Sequence, residues 1–327
     1  MGILDRDECG PTCFSQPYET SVTDYFNYSL FGLHIRSELR LPELPAADLT
    51  SEPQVQIRFG RVPEAAEAGL RTIGRGAQLS IEAIARYAIT DGSQIMIDRE
   101  PDVPDANVRL YLLGSAMGIL LHQRGLLPLH ANAVEIEGKA YAFTGASGAG
   151  KSTLATWFHD HAYRIIADDV CAISFDSNQQ PFVEPGLPRL RLWREALEVS
   201  GREVSRFERS YAGDDSWDKF DVPLPWETSV QSPIELAGVY LLKNGDALAI
   251  DRLQGIEATE AIFANTYRGN YVPAAGNVQK HWEACVRLAA HTPIFNLTRA
   301  WDLTLLSSDI PKLVAHTQQT ALGLCDQ

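Results

Sequence analysis

From Tyr25 onward apolar and polar residues alternate in short runs, and that alternation predicts strands first. YSLFGLHIRSEL, PQVQIRFG, QLSIEAIARYAIT and QIMIDRE carry aromatic or β-branched residues at alternate positions or in brief blocks. Asp91-Gly92, between the last two runs, is a two-residue hairpin signal. The period then changes. In DANVRLYLLGSAMGILLHQRG the apolar positions recur at helical spacing, with Asp105 as the expected N-cap and Gly125 just past the last turn. Residues 25–125 are therefore expected to form a small mixed, β-rich domain ending in a helix, without a catalytic constellation. Residues 1–24, polar and rich in Gly, Pro, Ser and Thr, are expected to form a loose arm.

A second block, residues 126–327, begins at LLPLHANAVEIEGKAYAFTG. Here 131–136 and 139–144 read as a hairpin around Glu137-Gly138. A glycine-rich loop follows, then a helix, then YRIIADDVCAISF as the next strand. AGVYLLKNGDALAIDRL reads as the strongest hairpin of the chain, turning at Asn244-Gly245. EATEAIFANTY and VQKHWEACVRLAAHT read as helices and PIFNLT as a late strand. The expected class is α/β with α+β mixing.

Composition narrows the partners. The 327 residues are 45% hydrophobic and 21% charged, which suits a globular protein with a sizeable core. A net charge of −14 speaks against nucleic acid or an anionic membrane as the main partner. Any phosphate site must then work by local geometry against the global field. The five cysteines (Cys9, Cys13, Cys171, Cys285 and Cys325) lack paired spacing and are expected to be reduced thiols; Cys9 and Cys13 could supply only half a metal site. The acidic start MGILDRDECG and the lack of a ~20-residue apolar run lead to the expectation of a soluble, cytoplasmic protein.

The chemistry concentrates in TGASGAGKST. Gly145, Gly150, Lys151 and Ser152 complete G-x-x-x-x-G-K-[ST] across Ala146, Ser147, Gly148 and Ala149, with Thr153 following. Glycines let backbone N–H groups converge on an anion, and the helix that starts there adds its positive end. Lys151 is the expected cation for the β- and γ-phosphates, and the Ser152 hydroxyl a Mg²⁺ ligand. The apolar run before the loop and the helix-compatible run after it are the context this motif needs. Nucleotide binding follows.

Asp168 and Asp169 close the run RIIAD, one helix and one strand after the loop. One carboxylate could hold Mg²⁺ while the other takes the proton of an attacking hydroxyl. Adjacent strand residues face opposite ways, so both can serve only if the strand breaks there. The plainer alternative is one metal ligand beside a solvated or capping aspartate. Two like charges this close should raise one pKa. His130, just before the hairpin, would by itself read as an ordinary core or surface histidine.

Together, LLPLHANAVEIEGKAYAFTGASGAGKSTLATWF and RIIADDV resemble the kinase domain of the HPr kinase/phosphorylase family over residues 126–175. VEPGLPRLRLW and YSLFGLHIRSELRLPEL extend the resemblance toward a branch associated with lasso-peptide biosynthesis. The resemblance implies a fold related to the nucleotide-binding domain of ATP-dependent phosphoenolpyruvate carboxykinase. It also implies phosphorylation of a hydroxyl at the C-terminal residue of a precursor peptide. It places the family's histidine on His130, its phosphate loop on 145–153 and its acidic pair on Asp168 and Asp169, with the base on Asp169. The family's glutamate–arginine–glycine signature is replaced here by EPGLPRLRLW, so HPr as acceptor and the reverse reaction do not carry over.

In that replacement Arg189 and Arg191 share a face if the segment is extended, with Leu190 and Leu192 turned to the core. They could clamp a phosphate or a carboxylate, or line a solvated strand face. Lys219 is similar to a lysine of the branch; it is a cation for the γ-phosphate or an exposed loop lysine. The expected activity is an ATP/Mg²⁺-dependent kinase acting on a serine hydroxyl of a small peptide. A kinase of free serine or another metabolite and a nucleotide-gated scaffold are the alternatives. A homo-oligomer stays open.

Overall fold

The computed structural model describes residues 24–321 except 49–51, 66, 213–217, 226–229 and 277. The expected arm, apart from Asp24, and the thiols of Cys9, Cys13 and Cys325 lie outside the described residues. Cys171 and Cys285 are buried free thiols.

Seven strands build the first sheet: β1 (Phe26–Leu30), β2 (Leu33–Ser37), β3 (Val55–Phe59), β4 (Gly69–Ile73), β5 (Gly76–Ile81), β6 (Ala85–Thr90) and β7 (Gln94–Arg99), in the order β1-β2-β3-β7-β6-β5-β4. The pairs β2/β3 and β3/β7 are parallel and the rest antiparallel. Asp91-Gly92 turns the β6/β7 hairpin with φ of 52° and 61°, and Phe31-Gly32 turns β1 into β2 with 52° and 70°. Such left-handed pairs match the twist of the strands they join.

The expected helix is present in three pieces: α1 (Asp105–Tyr111), a wider π-helical turn (Leu112–Ala116) and α2 (Met117–Gln123). Asp105 does not cap it. Pro104 takes the N-cap position without a side-chain bond, and the Asp105 carboxylate instead meets Arg99 at 2.5 Å. From Leu112 to Leu121 the helix is buried all round, because it runs between two layers. Its outer side packs the first sheet, and the same core includes Val170, Ala172, Leu187 and Tyr267 from the second half of the chain. Gly114 and Gly118 lie where Tyr267 closes on the helix; a Cβ at either would come within 3.2 Å and 3.0 Å of that side chain.

The second sheet has nine strands: β8 (Leu127–Leu129), β9 (Ala131–Ile136), β10 (Lys139–Thr144), β11 (Arg164–Ala167), β12 (Cys171–Phe175), β13 (Pro181–Val183), β17 (Ile234–Asn244), β18 (Ala249–Leu253) and β19 (Ile294–Arg299). A small third sheet is formed by β14 (Arg189–Trp193), β15 (Glu208–Arg209) and β16 (Lys219–Pro223). The remaining helices are α3 (Lys151–Asp160), α4 (Arg194–Val199), α5 (Gly255–Ala264), α6 (Val272–Ala275), α7 (Val278–His291) and α8 (Leu306–Ala321). None of the helices described is long and apolar enough to cross a membrane.

Two expectations are corrected here. YRIIADDVCAISF is not one strand but β11 and β12, which pair with different neighbours, β9 and β8/β13. The Asn244-Gly245 hairpin does not form either. β19 enters between β17 and β18, parallel to the first and antiparallel to the second, and the Gly245 N–H bonds to Arg299 O. A strand from 50 residues later outcompetes the local turn because it pairs along six residues of β17, Val239 to Asn244.

Since β11 and β10 are both antiparallel to β9, their C-terminal ends meet at one edge. The C-terminal ends of β17 and β19, parallel to β10, join them there. That edge carries the candidate site.

Candidate active site

The loop between β10 and α3 has the shape its sequence requires. Gly145, Gly148 and Gly150 have φ of 145°, 81° and 85°, and Gly150 is the left-handed N-cap of α3. Ala149 is buried beneath the loop. Asn132 on β9 donates Nδ2–H to Lys151 O at 2.7 Å and so ties the first turn of the helix to the sheet. Lys151 Nζ donates to Gly145 O at 2.7 Å and Ala146 O at 3.1 Å, so the loop curls round its own lysine. Burial lowers the Lys151 pKa; Asp169 and Asp168 raise it and Lys219 lowers it further.

β11 ends at Ala167, and the strand breaks at the acidic pair, as shared service by both carboxylates requires. Asp169 adopts a left-handed φ of 72°, which turns it away from Asp168. The two now sit in different surroundings. Asp168 is 5% exposed and its Oδ2 accepts the Arg191 backbone N–H at 2.5 Å. Burial nevertheless pushes its pKa up to about 6, with the Asp169 charge adding to the rise. Burial would also raise Asp169. There the hydrogen bond from His130 and the charges of Arg191, His130 and Lys219 prevail and hold the carboxyl well below the usual range. The raised member of the pair is therefore Asp168, through burial first and the neighbouring charge second, and not Asp169.

His130 stands at the start of β9. Its N–H bonds to Asn265 O at 2.8 Å and its carbonyl takes the Thr144 hydroxyl at 2.8 Å. Nδ1 lies 3.1 Å from Asp169 O and 3.2 Å from Asp169 Oδ1. Both are acceptors, so Nδ1 carries the proton. His130 is neither a core residue nor an idle surface one.

Arg189 and Arg191 lie on β14 with Leu190 and Leu192 fully buried behind them. The arginines are themselves buried, 9% exposed each, which removes the solvated-face alternative. Asp221 on β16 holds both, Oδ2 to Arg189 Nη1 at 2.7 Å and Oδ1 to Arg191 Nε at 3.0 Å, and takes the Ser210 hydroxyl at 2.7 Å. Arg191 Nη1 reaches Asp169 Oδ2 at 3.6 Å. Lys219 is not a loop lysine. It opens β16, and its ammonium sits 4.8 Å from the Trp193 ring centroid.

Two cavities meet across these residues. The smaller, about 210 Å³, is lined by Ser147, Gly148, Gly150, Lys151, Ser152 and Thr153 together with Asp168 and Asn132. The larger, about 670 Å³, is lined by Gly145, Ala146, Tyr111, Tyr211, Tyr267 and Arg268 among others. His130, Ser147, Asp169, Arg191 and Lys219 line both. The small cavity suits phosphates and the large one a second reactant.

The donor set also fits a hard divalent ion. Ser152 and the two aspartates border one cavity, whereas among the described residues no group of three or more His, Cys, Asp or Glu could hold a metal unaided. An ion that brings phosphate oxygens and waters needs only one or two carboxylates.

Sequence reasoning missed Asn132, Asp221, Asn265, Tyr267 and Arg268. Asn132 carried a signal, two residues after His130 on the same strand face. The others reach the site through pairings and loops distant in sequence, and Arg268 does so with a left-handed φ of 51°.

Against known proteins, no family model matches this sequence and no curated protein does. Among solved structures, the chain is similar to the Hpr(Ser) kinase/phosphatase from Coxiella burnetii, at 10% identity and a TM-score of 0.32, over 60% of this chain and 98% of that one.

Proposed function

We propose that this protein is an ATP- and Mg²⁺-dependent phosphotransferase that moves the γ-phosphoryl group to a hydroxyl, with the C-terminal serine of a lasso precursor peptide as acceptor. The observation that carries this reading is Asp169, a carboxylate on the wall shared by the phosphate cavity and the larger one. The loop N–H groups and Lys151 hold the phosphates. Ser152 and Asp168 would hold Mg²⁺, which would offset the charge of the phosphates. Asp169, kept ionised and oriented by His130 and Arg191, accepts a hydrogen bond from the incoming hydroxyl. As the bond from hydroxyl oxygen to γ-phosphorus forms, the bond to the ADP oxygen breaks and the proton passes to Asp169. Lys219 and Arg191 meet the charge on the transferred group. Positioning and charge supply most of the rate in such a transfer.

The large cavity favours a peptide over a free amino acid, since about 670 Å³ suits a ligand of several residues. The test is transfer of label from γ-labelled ATP by purified protein to lasso precursor peptides, with free serine in parallel. Label on the peptide supports the reading. Label on serine alone gives a metabolite kinase, and ATP binding without any transfer gives a nucleotide-gated scaffold.

A further inference from the structure

The sheet edge at the site has a direction. In order across it stand Asp168-Asp169 after β11, His130 before β9, the phosphate loop after β10, Asn244 ending β17 and Arg299 ending β19. On the nucleotide reading above, the γ-phosphate faces Asp169 and His130. The α-phosphate and nucleoside then run the other way, over β17 and β19.

That side is prepared. Thr144 is level with Leu241 and Asn296, so Arg299 lies three residues further out, about 10 Å, at the height of the loop. The loop leans toward it. A Cβ on Gly145 would sit 2.9 Å from Leu242 O, and one on Gly150 would sit 3.0 Å from Arg299 Nη2. Arg299 is 4% exposed, and its Nε and Nη1 have no hydrogen-bond partner among the described residues. Asp309, whose charge acts on Arg299, is engaged by Lys312 at 3.6 Å. A buried guanidinium with unanswered donors is costly unless negative charge arrives beside it. Two residues on, just past the end of β19, Trp301 is 53% exposed.

We infer that the nucleoside of the bound nucleotide lies over the ends of β17 and β19, stacked on Trp301, while Arg299 supports the phosphate loop from beneath as a fixed positive charge. Arg299 touches no ligand atom in this arrangement; it is a positioning residue. Trp301 makes the contact.

Calorimetric titration of the full chain with MgATP and with magnesium tripolyphosphate separates the parts. Trp301→Ala weakens MgATP about tenfold and leaves tripolyphosphate unchanged, since stacking concerns the base alone. Arg299→Gln weakens both about tenfold, and Arg299→Lys, which keeps the charge, recovers most of the loss. MgATP binding by Trp301→Ala equal to wild type overturns the inference, as does tripolyphosphate binding by a folded Arg299→Gln equal to wild type. Should Arg299→Gln not fold, Trp301→Ala decides. Wild-type protein that binds neither probe overturns the nucleotide reading itself.

Discussion

His130 Nδ1 lies 3.2 Å from Asp169 Oδ1, and the same nitrogen is 3.1 Å from the Asp169 carbonyl oxygen. One ring nitrogen thus fixes both the backbone and the side chain of the aspartate. Asp169 holds this arrangement in a left-handed backbone conformation, with φ of 72°. A strained position is retained where surrounding contacts over-determine it, and such positions gather at functional sites.

Asp169→Asn should lower phosphoryl transfer by about 10³-fold, within the range for loss of a general base, while MgATP binding changes little. Asp168→Asn should weaken the dependence on Mg²⁺. His130→Ala should move the acid limb of the kcat/KM profile to higher pH, because the donor that lowers the Asp169 pKa is gone. A profile unchanged in His130→Ala would refute the dyad.

Asp221 is the counterion of two buried arginines, so Asp221→Asn leaves both short of charge. Urea unfolding should show a loss of roughly 2–4 kcal/mol. Transfer should fall as well, since Arg191 is freed to approach Asp169. Stability equal to wild type would show that the three-member cluster contributes nothing to the fold.

The stability of this protein should fall on the acid side, and His122 is a cause. Its Nε2 donates to Tyr267 O at 3.1 Å, and burial pushes its pKa down to about 4, with a smaller push from His281. The unfolded chain binds the proton more readily, so the contribution is intact above pH 6.5 and is lost as pH falls from 6.5 to 4. The shift is worth about 3 kcal/mol. Urea midpoints across that range should slope less in His122→Asn than in wild type; parallel slopes would contradict the assignment.

Gly148→Ala and Gly150→Ala separate backbone cost from contact. Both positions have positive φ, 81° and 85°, and both changes should cost about 1–2 kcal/mol. Only at Gly150 would the new methyl meet a side chain, Arg299. Gly150→Ala should therefore lose more MgATP affinity than Gly148→Ala in calorimetry; equal losses would point to backbone strain alone.

Much of the local structure was legible from the chain. Two-residue turns at Asp91-Gly92 and Glu137-Gly138 lie where the sequence predicts, because φ > 0 in adjacent residues is a property of the turn itself. The phosphate loop was legible for the same reason, its nine residues being contiguous. Asn244-Gly245 carries the same local signal and fails, since β19 offers β17 more pairing than the turn could. Asp105 fails as a cap because Pro104 precedes it and Arg99 stands nearer.

By itself, then, the sequence determined many of the strands and helices, the loop and the presence of an acidic pair, all of which depend on neighbours within a few residues. Tertiary structure alone decided what each acid became. Asp168 is buried under the Arg191 backbone, and Asp169 is turned out to His130 and Arg191. It also brought Asp221, Tyr267, Arg268 and Arg299 to the edge that the loop occupies. These groups come from strands and turns 76 to 154 residues beyond Gly145, and their proximity follows from strand pairing and sheet order. The physical reason is that charge and burial act through space, so the pKa of a carboxyl is set by which strands pair and not by which residue comes next.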